Sequence, residues 1–294
     1  MPRNDAILAN RKPVAPLGLI TLKSCEPLGD KVDAYLVKWR RDRKSDHLDF
    51  VEKNAYTSNS YKIQVSCPRF GSGEAKGTIN ESVRGLDLYI MVDVTNYSIT
   101  YSLCGQTNHM SPDDHYSDLK RIIAAVGGKA KHITVIMPFL YESRQHRKTM
   151  RESLDCAVML KELETMGVHD VVTFDAHDPR MQNVVPLKGI ENISPALLFT
   201  QAFLTEYDDI QIDKEHLMFV APDEGATERV VFLASIFGVN IGMFYKRRDY
   251  STIVNGTNPI VAHDFCGGDV SGMDVVIAPQ SYSPPSTKDS ACQF

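Results

Sequence analysis

The stretch Ile133-Thr-Val-Ile-Met-Pro-Phe-Leu-Tyr-Glu-Ser-Arg-Gln-His-Arg-Lys148 begins as an apolar, β-branched run and ends in three cations, Gln145 and His146. A strand buried on both faces reads as such a near-continuous apolar run, and in open α/β sheets ligands collect beyond the carboxyl ends of the strands. Arg144, Gln145, Arg147 and Lys148 therefore stand where an anion, phosphate first of all, would be held. Working outward from this run, apolar strands and periodic helices alternate. Strands are expected at 17–22, 87–94, 133–139, 170–174, 216–220, 240–245 and 274–277. Helices are expected at 29–43, 113–126, 151–166, 195–207 and 227–237. Strands alternating with helices imply an α/β fold with parallel sheets.

At 294 residues the chain exceeds the usual size of one domain, and two successive α/β units fit, with a boundary near residues 189–194. Hydrophobic residues make up 43% and charged residues 23%, the composition of an ordinary globular protein. A formal net charge of −5 argues against general nucleic-acid binding, so any anion site must be local. The basic run from Lys38 to Lys44 is interrupted and followed by Asp42, Asp46 and Asp49, which favours the solvated end of a helix. Six cysteines lie scattered without a C-x-x-C pair, favouring reduced thiols in the cytoplasm over a zinc site or a disulfide framework. Residues 1–16 form a polar leader without a signal-peptide core, and no run is long enough to span a bilayer, so no membrane partner is expected. From Ala278 onward the sequence is rich in turn residues and aperiodic, which predicts an irregular tail over 278–294.

Polar residues recur just after the strands. Asp175 and His177, two apart, project from one face if the chain is still extended there, a geometry suited to a metal or a phosphate; a capping Asp beside a surface His is the plainer alternative. Asp223 and Glu224 either cap the helix that follows or bind Mg²⁺ and sugar hydroxyls. Lys246, Arg247 and Arg248 are either a solvated turn or loop cations for a phosphoryl-transfer transition state. Arg69-Phe-Gly-Ser-Gly-Glu74 places an aromatic face beside two glycines and a carboxylate: a purine could rest on Phe70, or the segment is a simple hairpin or loop.

These segments occur in an order that resembles the ribose-phosphate pyrophosphokinase family over residues 17–277. The resemblance rests on Arg69-Phe70 with Gly73-Glu74, Ile79 to Gly85, Arg144-Gln145 with Arg147-Lys148, Asp175 and His177 with Gln182, Pro222-Asp223 with Gly225 and Arg229, and Lys246 with Arg248. It implies two tandem type I phosphoribosyltransferase-like domains, 17–190 and an incomplete 191–277, in a homo-oligomer whose ATP lies across a subunit interface. It implies transfer of the diphosphoryl group of ATP to ribose 5-phosphate, giving phosphoribosyl pyrophosphate and AMP, with Mg²⁺. By matching motif, Phe70 and Glu74, with Ser72 and Gly73 in the same loop, would meet adenine. Arg144 and Gln145 would hold ATP, His177 and Asp223 would serve Mg²⁺, and Lys246 and Arg248, on a mobile loop, would stabilise the transferred group.

Departures accompany the matches. Ser72 and His146 each stand where the family has Asp, and Ala226 replaces a glycine. After Ile277 the family carries an acidic pair and a Gly/Thr-rich loop for the sugar phosphate. Here Ala278-Pro-Gln-Ser-Tyr-Ser-Pro-Pro285 follows, with prolines that lack the N–H donors of a phosphate cradle. The expectation is a frameshifted or prematurely stopped relic with an incomplete ribose 5-phosphate site. The rival is a non-catalytic regulatory homologue that associates with active synthetase subunits. A phosphoribosyltransferase consuming the diphosphate product is disfavoured, since it needs the same loop.

Overall fold

The computed structural model describes residues 14–42, 58–248 and 260–278, with the side chains of 42, 246–248 and 260–263 excepted. Most of the leader and all of the tail beyond Ala278 lie outside the described residues. The chain divides into two compact units, one reaching Ile193 and one beginning at Ser194.

The first unit holds a five-stranded sheet in the order β1 (Leu17–Thr21), β4 (Asp87–Met91), β7 (His132–Ile136), β8 (Asp170–Phe174) and β9 (Gly189–Ile193), every pair parallel. The opening run forms β7, one of its interior strands, and Ile133, Thr134 and Val135 are buried, as an interior parallel strand requires. Helix α1 (Glu26–Asp42) follows β1, α2 (Pro112–Val126) precedes β7, and α3 (Asp155–Thr165) links β7 to β8. Leu119, Ile122, Ile123 and Val126 of α2 and Met159, Leu160 and Leu163 of α3 join the sheet residues Leu88, Ile90, Val135 and Val171 in one core. Val32 and Leu36 of α1 pack near Leu19, Tyr61 and Met91, while Tyr35 is 67% exposed. Helix α2 starts where its sequence says it should. The Ser111 hydroxyl accepts from the Asp114 N–H, the Asp114 carboxylate accepts from the Ser111 N–H, Pro112 opens the first turn, and Gly127 closes the helix in the left-handed conformation.

Two short antiparallel pairs lie outside the periodic elements: β2 (Val65–Ser66) with β3 (Thr78–Ile79), flanking the segment from Arg69 to Glu74 where a hairpin is one expectation, and the unexpected β5 (Thr100–Leu103) with β6 (Gln106–His109). The second turns at Cys104-Gly105, both at positive φ, without the Asn-Gly signature that would have marked it. Likewise β9 lies where a boundary between units is expected; its run Gly-Ile-Glu-Asn-Ile is too short and too polar for a period to show.

The second unit has the sheet order β12 (Ile260–Cys266), β11 (Asn240–Arg248), β10 (Leu217–Ala221), β13 (Asp274–Ile277). β10 pairs parallel with β11 and β13, and β12 adds an antiparallel edge. Helices α4 (Ala196–Glu206) and α5 (Thr227–Phe237) supply Phe199, Phe203, Val230, Leu233 and Phe237, which gather around Phe219. The chain goes from β10 to β11 on one side and returns with β13 on the other, so β10 ends at a topological switch point, where ligands of open α/β sheets bind.

Candidate functional site

Beyond β7 the backbone turns at Leu140–Arg144, with Glu142 at φ 56° and the Gln145 N–H donating to the Glu142 carbonyl at 3.0 Å. Gln145 then ties this loop to the start of α3. Its Nε2 donates to the carbonyls of Ser153 (2.9 Å) and Arg147 (3.2 Å), and its own carbonyl accepts from the Cys156 N–H. Both amide hydrogens are thereby committed, so in this structure Gln145 shapes the loop that presents the exposed Arg144 and offers a ligand only its acceptor oxygen.

Beyond β8 the chain leaves the extended conformation at once. Asp175 sits at φ 54°, its N–H donating to the Ile193 carbonyl, and the Ala176 N–H donates to Asn192 Oδ1. The strand alternation that would have put Asp175 and His177 on one face is broken by that left-handed residue, a conformation costly for most side chains and found at strained functional turns. His177 is brought instead against His146, with ring centroids 5.2 Å apart. His146 Nε2 lies 3.4 Å from Asp178 Oδ2. Asp178 accepts from the backbone N–H of Arg180 and from its guanidinium through both oxygens, at 2.7–3.1 Å, and these bonds hold its carboxyl down at about 2. Burial, then the neighbouring His146 and Arg144, push the His177 imidazole below its ordinary value, which favours the neutral ring. Its Nδ1 is buried without a hydrogen-bond partner, as is that of His146.

The residues Arg69 to Glu74 form a separate constellation, braced on α2. Phe70 N–H donates to the Glu74 carbonyl at 2.7 Å and Gly73 N–H to the Phe70 carbonyl at 2.9 Å, with Gly73 at φ 90°, so the loop is a closed turn. Phe70 remains 51% exposed, and the Ser72 hydroxyl donates to Glu74 Oε2 at 2.8 Å. Arg69 reaches inward to Asp118 of α2 at 3.0 Å, and Arg121 meets the other oxygen of the same carboxylate at 2.7 Å. Burial nevertheless pushes the Asp118 carboxyl up, so desolvation outweighs what the two guanidinium groups return.

In the second unit Asp223 caps the short 3-10 turn Glu224–Ala226, its Oδ1 accepting from the Ala226 N–H at 3.1 Å. The capping role is thus present, at the switch-point end of β10. Lys246 and Arg248, expected on a loop, have backbones inside β11, paired with His263 and Ile260 of β12 across a register shift. Their side chains lie outside the described residues.

Mg²⁺ prefers oxygen ligands, and no group of three or more His, Cys, Asp or Glu side chains able to hold a metal occurs among the described residues. The ion usually keeps waters and substrate phosphates and takes only one or two protein ligands. The unpartnered Nδ1 of His177, whose burial favours the uncharged ring, fits an ion that arrives with a nucleotide. Sequence reasoning did not single out Asp178, Arg180 or Asp118. The Asp178-Pro179 pair signals a turn, but nothing local marks its carboxylate as the partner of His146.

The family profile for the N-terminal domain of ribose phosphate pyrophosphokinase matches residues 17–167. The chain belongs to that family. A ribose-phosphate pyrophosphokinase of Staphylococcus epidermidis is 27% identical over 216 residues, 73% of this chain and 60% of the relative. One from Ralstonia nicotianae is 29% identical over 215 residues, 71% of this chain and 58% of the relative. One from Staphylococcus saprophyticus is 25% identical over 273 residues, 92% of this chain and 70% of the relative. The alignment with the Staphylococcus epidermidis relative thus spans 60% of that protein's length. The crystal structure of phosphoribosylpyrophosphate synthetase from Mycobacterium smegmatis shares the fold, with a TM-score of 0.62 and 21% identity over 89% of this chain and 70% of that one. No helix among the described residues of this ribose phosphate pyrophosphokinase family member is long and apolar enough to cross a membrane.

Proposed function

We propose that this chain binds Mg-ATP and takes part in ribose-phosphate diphosphokinase chemistry in the cytoplasm, with ribose 5-phosphate as acceptor and AMP as the leaving product. One observation carries the reading: the loop from Arg144 to Lys148 beyond β7 meets the turn beyond β8, the His146 and His177 ring centroids lying 5.2 Å apart, at the ligand-binding edge of a parallel sheet. Arg144, Arg147 and Lys148 supply the positive field for a polyphosphate, and Gln145 holds their loop. When bound, Mg²⁺ neutralises phosphate charge and polarises the phosphorus; His177 and Asp175 are the residues of the first unit that would hold it. Phe70 offers a ring face to a base, and Glu74, acceptor-only, suits the exocyclic amine of adenine and opposes the O6 acceptor of guanine. The loop on Arg69 to Glu74 and the Arg144 cluster serve one nucleotide across two copies of a homo-oligomer, each copy giving base contacts to one site and phosphate contacts to another. In the second unit Asp223 would serve a Mg²⁺ ion from the end of β10, and Lys246 and Arg248 would stabilise the transferred group. No nucleic acid or membrane is a partner.

A second reading rests on Ala278-Pro279-Gln280 following β13, where the family resemblance implies an acidic pair and then glycine-rich backbone donors. On it the second unit is an incomplete phosphoribosyltransferase-like domain, and the chain is a regulatory partner that joins active synthetase subunits. Incubation of the purified chain with Mg-ATP, with and without ribose 5-phosphate, separates the two. AMP that forms only with the sugar establishes the synthetase. Absence of AMP refutes the synthetase, and co-elution of the chain with an active synthetase then establishes the regulatory reading, while failure to co-elute refutes it.

A further inference from the structure

The β5–β6 hairpin lies against the loop from Arg69 to Glu74. Along β5 the side chains alternate, Thr100 and Ser102 exposed, Tyr101 and Leu103 half-buried, so one face of the hairpin turns toward the protein. That face meets the loop at both ends. The Arg69 guanidinium lies over the Tyr101 ring, 5.0 Å from its centroid, while Asp118 holds the same guanidinium at 3.0 Å from the α2 side. Leu103 closes on Gly73: its Cδ1 lies 3.2 Å from where a Cβ on that residue would be, so the glycine required by its φ of 90° is also in close reach of the hairpin. The hairpin is itself anchored. Its last residue His109 stacks on Tyr97 at 4.3 Å and bonds the Tyr97 carbonyl, Met110 N–H donates to the Ile99 carbonyl, and buried His115 of α2 bonds the Asn96 carbonyl.

We propose that this hairpin is a specificity element for the nucleotide base, with Tyr101 and Leu103 as positioning residues that hold Phe70 and Glu74 in the geometry that selects adenine. The inference rests on the reading that the loop from Phe70 to Glu74 receives the base. A two-residue cap on a turn whose exposed edge carries one ring and one carboxylate restricts the turn without touching the phosphates. Its removal leaves polyphosphate binding intact and loosens only the choice of base. That separation distinguishes a specificity element from a brace for the fold.

The test uses the full chain with Mg²⁺ and three probes: ATP, GTP and inorganic tripolyphosphate, measured by calorimetry. The wild type binds ATP more tightly than GTP. The double variant Tyr101→Leu/Leu103→Ala loses about tenfold in ATP affinity, the equivalent of about 1.4 kcal/mol, within the range of a partly desolvated cation–π contact. Tripolyphosphate affinity stays unchanged and the ATP-over-GTP preference collapses. An unchanged preference in the folded double variant overturns the proposal, as does an equal loss for tripolyphosphate. Phe70→Ala is measured in parallel: if it leaves ATP affinity unchanged, the base does not rest on this loop, and both the reading and the inference fall. If it weakens ATP while the hairpin variant is silent, only the inference falls. Should the double variant not fold, Tyr101→Leu alone is read by the same criteria, since it keeps an apolar side chain and removes the ring beneath Arg69.

Discussion

Asp118 decides whether the loop from Arg69 to Glu74 is held from within. Its carboxylate takes Arg69 at 3.0 Å and Arg121 at 2.7 Å, and the Arg69 and Asp118 side chains are only 10% and 12% exposed. At 3.0 Å and an effective dielectric of about 20, the gross attraction between one such pair is about 5.5 kcal/mol. Burial still pushes the Asp118 carboxyl up, so the net contribution of the pair is small while its disruption is costly. Asp118→Ala should therefore cost about 3–5 kcal/mol, because a guanidinium is left buried without its counter-charge. Arg69→Met should cost less, since Asp118 keeps the more exposed Arg121. The double change Arg69→Met/Asp118→Leu should lose clearly less than the sum of Arg69→Met and Asp118→Leu, since it removes both charges together. Urea unfolding followed by fluorescence reads this in the first unit, because the single tryptophan, Trp39, lies in α1. A loss below about 1 kcal/mol for Asp118→Ala, or strict additivity in the cycle, would refute the argument.

Three further outcomes follow from the packing. Gly77→Ala places a Cβ 2.6 Å from the Arg121 carbonyl oxygen on the backbone of α2; a loss of about 1–3 kcal/mol is expected by the same fluorescence, and a neutral change would mean that the β2–β3 hairpin stands further off. Phe219→Ala empties the centre of the second unit, where Phe237, Phe203 and Phe199 lie 5.2–6.4 Å away by ring centroid. A cost of about 3–5 kcal/mol should appear in thermal unfolding followed by circular dichroism. Iodoacetamide at pH 8 should label the exposed Cys104 and Cys266 and spare Cys25, Cys67 and Cys156, whose thiols burial pushes up to about 12, 12 and 11; peptide mass spectrometry showing Cys25 modified first would contradict this.

The elements that sequence alone placed well are those whose signal is local and long. Thr227–Phe237, Asp170–Phe174 and Asp274–Ile277 appear at their expected bounds, and α2 carries its capping box and its glycine stop in the primary sequence. The elements missed include the short or polar β9 and β5–β6 hairpin, and also the seven-residue β12, whose pairing carries Lys246 and Arg248 into a strand instead of a loop. A four-residue strand buries too little for a period to emerge, and its existence depends on a neighbour already in place.

The site divides in the same way. The apolar run of β7 ending in Arg144 to Lys148, the aromatic beside glycines at Phe70, and the polar residues after each strand were legible because residue type and position relative to a strand end are sequence properties. Which of them act together was decided by tertiary structure. Gln145 has its amide hydrogens committed to Ser153 and Arg147, Asp175 turns left-handed and ends the strand alternation, and His146 meets His177 from 31 positions away. Asp118 reaches Arg69 across 49 positions. Periodicity and capping are set by forces within a few residues of each other along the chain. These pairings depend on burial and on closing loops of tens of residues, and no local pattern records which distant group will be left to satisfy a buried charge.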